Sequence, residues 1–186
     1  MRLLILCCLV LFSLPCNAKE IAGILVQEAV QTEAGVTLHL NGAGVRSKFF
    51  VDVYLAQLFL EKPSTAVEEV IAAEGHKRVV MHFLHSEVAR DKLVAAWDEG
   101  FAGNTPAAEL AKLEERIGQF NSMFGDAKKN DVIVLDYLPD VGTVVQIANE
   151  IRGTIPGKDF NDALLRIWLG EKPVNKGLRE QLLGLK

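Results

Sequence analysis

The chain has 186 residues, of which 49% are hydrophobic, and a formal net charge of −4. That length fits one domain able to bury a sizeable core without disulfides or a structural metal. The acidic balance, with no basic patch, excludes a protein that lives by neutralising nucleic-acid phosphates.

Taken from the start, Met1 to Ala18 reads as a secretory leader. Arg2 is a positive n-region, Leu3 to Leu14 an apolar h-region, and Cys16-Asn17-Ala18 an acceptable small-residue cleavage site. Ser13-Leu14-Pro15 ahead of Cys16 is a poor match to a lipoprotein signal. The h-region falls short of the roughly 20 apolar residues needed to span a bilayer, so no stable membrane insertion is expected once the leader is removed. The three cysteines, Cys7, Cys8 and Cys16, all lie in this segment. Thiol catalysis, disulfide scaffolds and cysteine-based zinc sites are thereby excluded from residues 19–186, which read as a single exported domain.

Residues 21–60 are rich in β-branched and aromatic types, and strands are expected near 22–30, 35–40 and 48–60. Glu33-Ala34-Gly35 and Asn41-Gly42-Ala43-Gly44 read as the turns between them. The third strand is apolar on both alternating faces, with Asp52 the exception, which implies a central strand covered on both sides. Thr65-Ala66-Val67-Glu68 has the form of a capping box opening a short helix, and Lys77 to Leu84 is again a strand. Ser86 is placed to cap a helix carrying Ala89, Leu93, Ala96, Trp97 and Gly100 on one face. Thr105 and Pro106 open another, whose Leu110, Leu113, Ile117, Phe120 and Phe124 form a stripe. After a polar turn at 126–131, strands are expected at 131–138 and 142–151, joined through Pro139-Asp140-Val141-Gly142. Phe160, Ala163, Leu164, Ile167 and Trp168 form the stripe of a last helix ending at Gly170, followed by a basic tail. Strands and helices do not alternate strictly, so the expected class is α+β: a mainly antiparallel sheet covered on one face by helices.

Known catalytic motifs are absent from the sequence: it holds no Walker loop, no H-E-x-x-H, no G-x-S-x-G and no EF-hand loop. No cofactor and no metal site is expected. His82 and His85, three apart, fall on opposite faces of a strand and suit a shared metal poorly. His82 reads as a satisfied or surface histidine. His85, at a strand-to-helix junction, reads either so or as a residue facing a cleft. Arg46, following Gly42-Ala43-Gly44-Val45, is either a surface arginine on a hairpin or a planar fork offered to a carboxylate. The aromatic residues on the helical stripes read as core, some of which could line an apolar pocket.

Leu40-Asn41-Gly42-Ala43-Gly44-Val45-Arg46, Val53-Tyr54-Leu55, Trp97, Asp131-Val132-Ile133 and the stretch from Phe160 to Gly170 ahead of Pro173-Val174 resemble the chalcone isomerase-like family. They are most similar to its bacterial exported branch, which places the protein in the periplasm. The resemblance implies an open-faced β-sandwich with a ligand cleft between sheet and helices. It also implies that Arg46 matches the family arginine that faces an anionic group. Phe49 stands where the enzymes have threonine, and His85, Val88 and Lys92 stand where they have tyrosine, lysine and asparagine. With Phe49 and Val88 in place of donors, the groups that would polarise an enone ketone are missing. Arg46, His85, Lys92 and Phe49 are therefore expected as ligand-binding residues around a small hydrophobic anion such as a fatty acid, without catalysis. The alternative is an intramolecular lyase or isomerase acting on a chalcone-like enone, with His85 as acid or base. A third possibility is an accessory protein whose cleft is filled by its own side chains.

Overall fold

The computed structural model describes residues 19–186; the expected leader and all three cysteines lie outside the described residues. The chain opens with the hairpin β1 (Lys19–Ile21) and β2 (Ile24–Val26). Seven further strands, β3 (Ala29–Gln31), β4 (Thr37–Lys48), β5 (Val51–Leu60), β6 (Lys77–Phe83), β9 (Val132–Leu138), β10 (Gly142–Ile147) and β11 (Glu150–Ile155), form one sheet. Its order is β11-β10-β9-β6-β5-β4-β3, and every pairing is antiparallel. The short pair β7 (Glu87–Val88) and β8 (Ala127–Lys128) stands apart from it. The helices are α1 (Val67–Ala72), α2 (Arg90–Asn104), α3 (Ala107–Ser122), α4 (Lys158–Leu169) and α5 (Lys176–Leu182).

The expected α+β class is what the structure shows. Strand β5 is flanked by β4 and β6, and every residue from Tyr54 to Leu60 is buried. Tyr54, Ala56, Leu58 and Leu60 share one core with α2, α3, α4 and α5, while Leu55, Gln57 and Phe59 point to the opposite face. Helix α4 is the centre of the helical layer. Phe160, Ala163, Leu164, Leu165, Ile167, Trp168 and Leu169 are all buried, more than one stripe can account for, so it is covered by sheet and by neighbouring helices. Helix α2 lies close against it: a Cβ on Gly100 would fall 2.8 Å from a methyl of Ile167.

Several local expectations are corrected. The segment 22–30 is a hairpin and a third strand, because Ala22 and Gly23 both take positive φ and reverse the chain. Asn41-Gly42-Ala43-Gly44 is no turn; it runs inside the twelve-residue β4, with an irregularity in pairing between Leu40 and Gly42. The glycines serve close approach instead. A Cβ on Gly42 would lie 2.0 Å from the Gln181 carbonyl oxygen, and one on Gly44 2.0 Å from the Gln181 side chain, so α5 packs directly on the strand. The basic tail, to which no element was assigned, contains this helix, capped by Asn175, whose Oδ1 accepts from the Leu178 amide at 2.9 Å. The reversal moves to Phe49 and Phe50. Strand 142–151 divides at Ala148 and Asn149, both at positive φ, into β10 and β11.

Caps are misassigned as well. Ser64, not Thr65, serves α1: its hydroxyl accepts from the Ala66 amide and donates to Glu69. Ser86 does not cap α2, because residues 87–88 first pair with 127–128; the carboxylate of Asp126 accepts from the Arg90 amide at 2.8 Å instead. That carboxylate is 36 residues away in sequence, which no local pattern reveals. Pro106 is the residue before α3, and Thr105 closes α2.

Candidate functional site

Pairing places Arg46 of β4 opposite Tyr54 of β5, and Tyr54 opposite Phe83 of β6. All three therefore face the helical layer. The Arg46 guanidinium lies over the Tyr54 ring, 5.5 Å from its centroid, and the Phe83 ring is 5.7 Å from that of Tyr54. Trp168 of α4 donates its Nε1–H to the Tyr54 hydroxyl at 3.0 Å, which ties the last helix to the sheet at this point. Trp97 of α2 meets Trp168 edge to face at 5.7 Å, with Phe120 and Phe124 against its other sides at 5.5 and 5.6 Å.

The polar inventory of this cluster is one-sided. The Nε of Arg46 and the Nε1 of Trp97 are buried without a hydrogen-bond partner among the described residues. No carboxylate pairs with Arg46 there either. The Tyr54 oxygen accepts from Trp168, and burial holds its pKa above the ordinary tyrosine value against the opposing pull of Arg46 and of the Trp168 bond. Its proton is thus retained and available to donate. The site is rich in donors and carries a positive charge, while its tyrosine oxygen already accepts from Trp168; this is the chemistry of an anion receptor at the edge of an apolar layer.

Of the four expected ligand residues, two are partly buried and two are exposed. Arg46 is half-buried opposite Tyr54; His85 is half-buried just past β6, its amide bonded to the Val53 carbonyl at 3.2 Å. Lys92 is exposed on the first turn of α2 and Phe49 is exposed at the β4–β5 turn. Among the described residues no hydrogen bond or ion pair links any two of the four. Tyr54, Trp168 and Trp97, which complete the cluster, read in the sequence as core. The nearest signal was Val53-Tyr54-Leu55, but only strand register shows that its tyrosine faces the arginine. His82 faces the opposite side of the sheet, where burial lowers its pKa and favours the neutral ring.

Between sheet and helices Phe83, Trp97, Phe120, Phe124 and Trp168 are all buried in one core with Tyr54, on the face that Arg46 shares. A surface groove of about 880 Å³ opens elsewhere, among α1, the α2–α3 junction, α4 and Arg179 of α5. It is polar, lined by Glu68, Glu109, Lys158, Asp162 and Arg166 among others, and includes none of the four residues. No group of His, Cys, Asp or Glu among the described residues could hold a metal ion, and no described helix is long and apolar enough to cross a membrane.

An antiparallel sheet under a helical layer, with an arginine facing aromatic residues between the two, defines the class, and the sequence match agrees. The chalcone isomerase-like family model matches residues 18–184, and the chain belongs to that family. Among solved structures it is similar to a fatty-acid binding protein of Arabidopsis thaliana, with 16% identity and a TM-score of 0.63. The match covers 84% of this chain and 96% of that one. At that identity the likeness concerns the fold. No curated protein matches the sequence.

Proposed function

We propose that this protein is an exported, periplasmic, non-catalytic binder of a small hydrophobic anion such as a fatty acid, belonging to the bacterial exported branch of its family. One observation carries the reading: a guanidinium on the core side of the sheet, its buried Nε without a partner among the described residues, beside a tyrosine hydroxyl free to donate. A carboxylate there would satisfy both donors, and charge-assisted bonds of this kind are the strong ones. The hydrophobic body would lie against the aromatic layer, which has to part to admit it. A solved structure of similar fold is that of a fatty-acid binding protein, which supports this choice of ligand class.

The packed layer also favours a second reading, an accessory protein whose interlayer space is filled by Trp97 and Trp168. One experiment separates the two. Native mass spectrometry of the processed protein, with and without added palmitate, should show a ligand adduct that Arg46→Ala abolishes. Identical empty species for both proteins, even with palmitate present, would overturn the binding reading and favour the filled one.

A further inference from the structure

The two most exposed large apolar side chains among the described residues are neighbours: Phe49 at 85% and Phe50 at 106% of full exposure, followed by Val51 at 43%. They form the two-residue turn between β4 and β5, and both take positive φ, 49° and 67°. That conformation disfavours bulky residues and suits Asn-Gly. The other two-residue turns place Gly23 and Asn149 at the second position, as the geometry prefers. Folding stability therefore accounts neither for two aromatics at a strained turn nor for their display to solvent.

We propose that the Phe49–Phe50 tip docks the protein reversibly on an anionic lipid surface. Two aromatic rings on a convex apex offer at most about 500 Å², well short of the ~800 Å² that each partner contributes to a stable protein interface. Two rings suffice, in contrast, to enter the headgroup boundary of a bilayer. Their surroundings fit that use. The Lys48 ammonium stands 5.9 Å from the Phe49 ring, placed to meet lipid phosphates while the rings enter the acyl boundary. The one acidic side chain in the hairpin, Asp52, is engaged by the Ser47 hydroxyl at 2.6 Å. Arg46 lies three residues before the tip, so docking brings that end of the sheet to the membrane; the inference itself requires no ligand there.

The test is flotation of the processed protein with vesicles of phosphatidylethanolamine and phosphatidylglycerol. The double substitution Phe49→Asn with Phe50→Gly supplies the favoured turn residues, so it keeps or raises the unfolding midpoint while removing both rings. We expect it to float at least about tenfold less than the wild type, and Lys48→Glu to weaken binding to these vesicles more than to neutral phosphatidylcholine. A wild type that does not float, or a double variant that floats equally, overturns the proposal. So does a change from dimer to monomer without vesicle binding, which would assign the tip to a second copy of the chain.

Discussion

Lys77 is 2% exposed on β6, at the point where the sheet meets α1 and α4. Its ammonium donates to the Ile71 carbonyl at 3.1 Å, lies 3.8 Å from Asp162 and sits over the Tyr137 ring at 5.1 Å. Burial outweighs the attraction of Asp162 and lowers its pKa from 10.5 to about 8. The unfolded chain thus binds this proton more tightly than the folded one. Protonation favours unfolding, and stability rises with pH from about 8 toward 10.5. Linkage through that shift gives a cost at pH 7 of about 3 kcal/mol, most of which is recovered by pH 10. Lys77→Met removes the charge and keeps the length. It strands nothing, because Lys158 already donates to the Ile71 carbonyl at 3.1 Å and to Asp162 at 2.8 and 2.9 Å. Urea unfolding at pH 7, 8.5 and 10 should therefore find the variant more stable at pH 7 by ~1–3 kcal/mol, with the gap nearly closed at pH 10. Above pH 10 the raised pKa values of Tyr54 and Tyr137 act in the opposite direction, so the comparison stops there. A constant gap between the two proteins across this range, or a variant less stable at pH 7, would refute the argument.

Two further perturbations examine how the site is held. Gly44→Ala should destabilise the fold by about 1–3 kcal/mol and expose the C-terminal helix to proteolysis, because the added methyl meets the Gln181 side chain; unchanged urea midpoints and cleavage patterns would contradict the close packing. Trp168→Phe and Tyr54→Phe, singly and together, should give a coupling energy of ~0.5–1.5 kcal/mol in urea unfolding, the net value of their hydrogen bond. Strictly additive effects would mean that this bond does not hold α4 to the sheet.

Residue order alone fixed much of this protein. Apolar alternation on both faces marked a covered strand in the stretch 48–60, and the structure covers it from Tyr54 to Leu60, because burial on two sides leaves a signature that needs no partner. The 3.6-residue stripes of α3 and α4 were equally legible, and so was the arginine of the site. Glycine and turn chemistry misled where the cause lay elsewhere in the chain. Gly42 and Gly44 look like a turn, yet they are small because α5, some 140 residues later, presses on them. Phe49 and Phe50 look like strand residues, yet they occupy the turn. The site shows the same division. Its charge was visible at Arg46, but its hydroxyl and indoles belonged to the core until the pairing of β4 with β5 and the docking of α4 set Tyr54 and Trp168 beside it. Periodicity records which side of an element is buried; what it is buried against depends on contacts between distant segments, and only the tertiary structure supplies those.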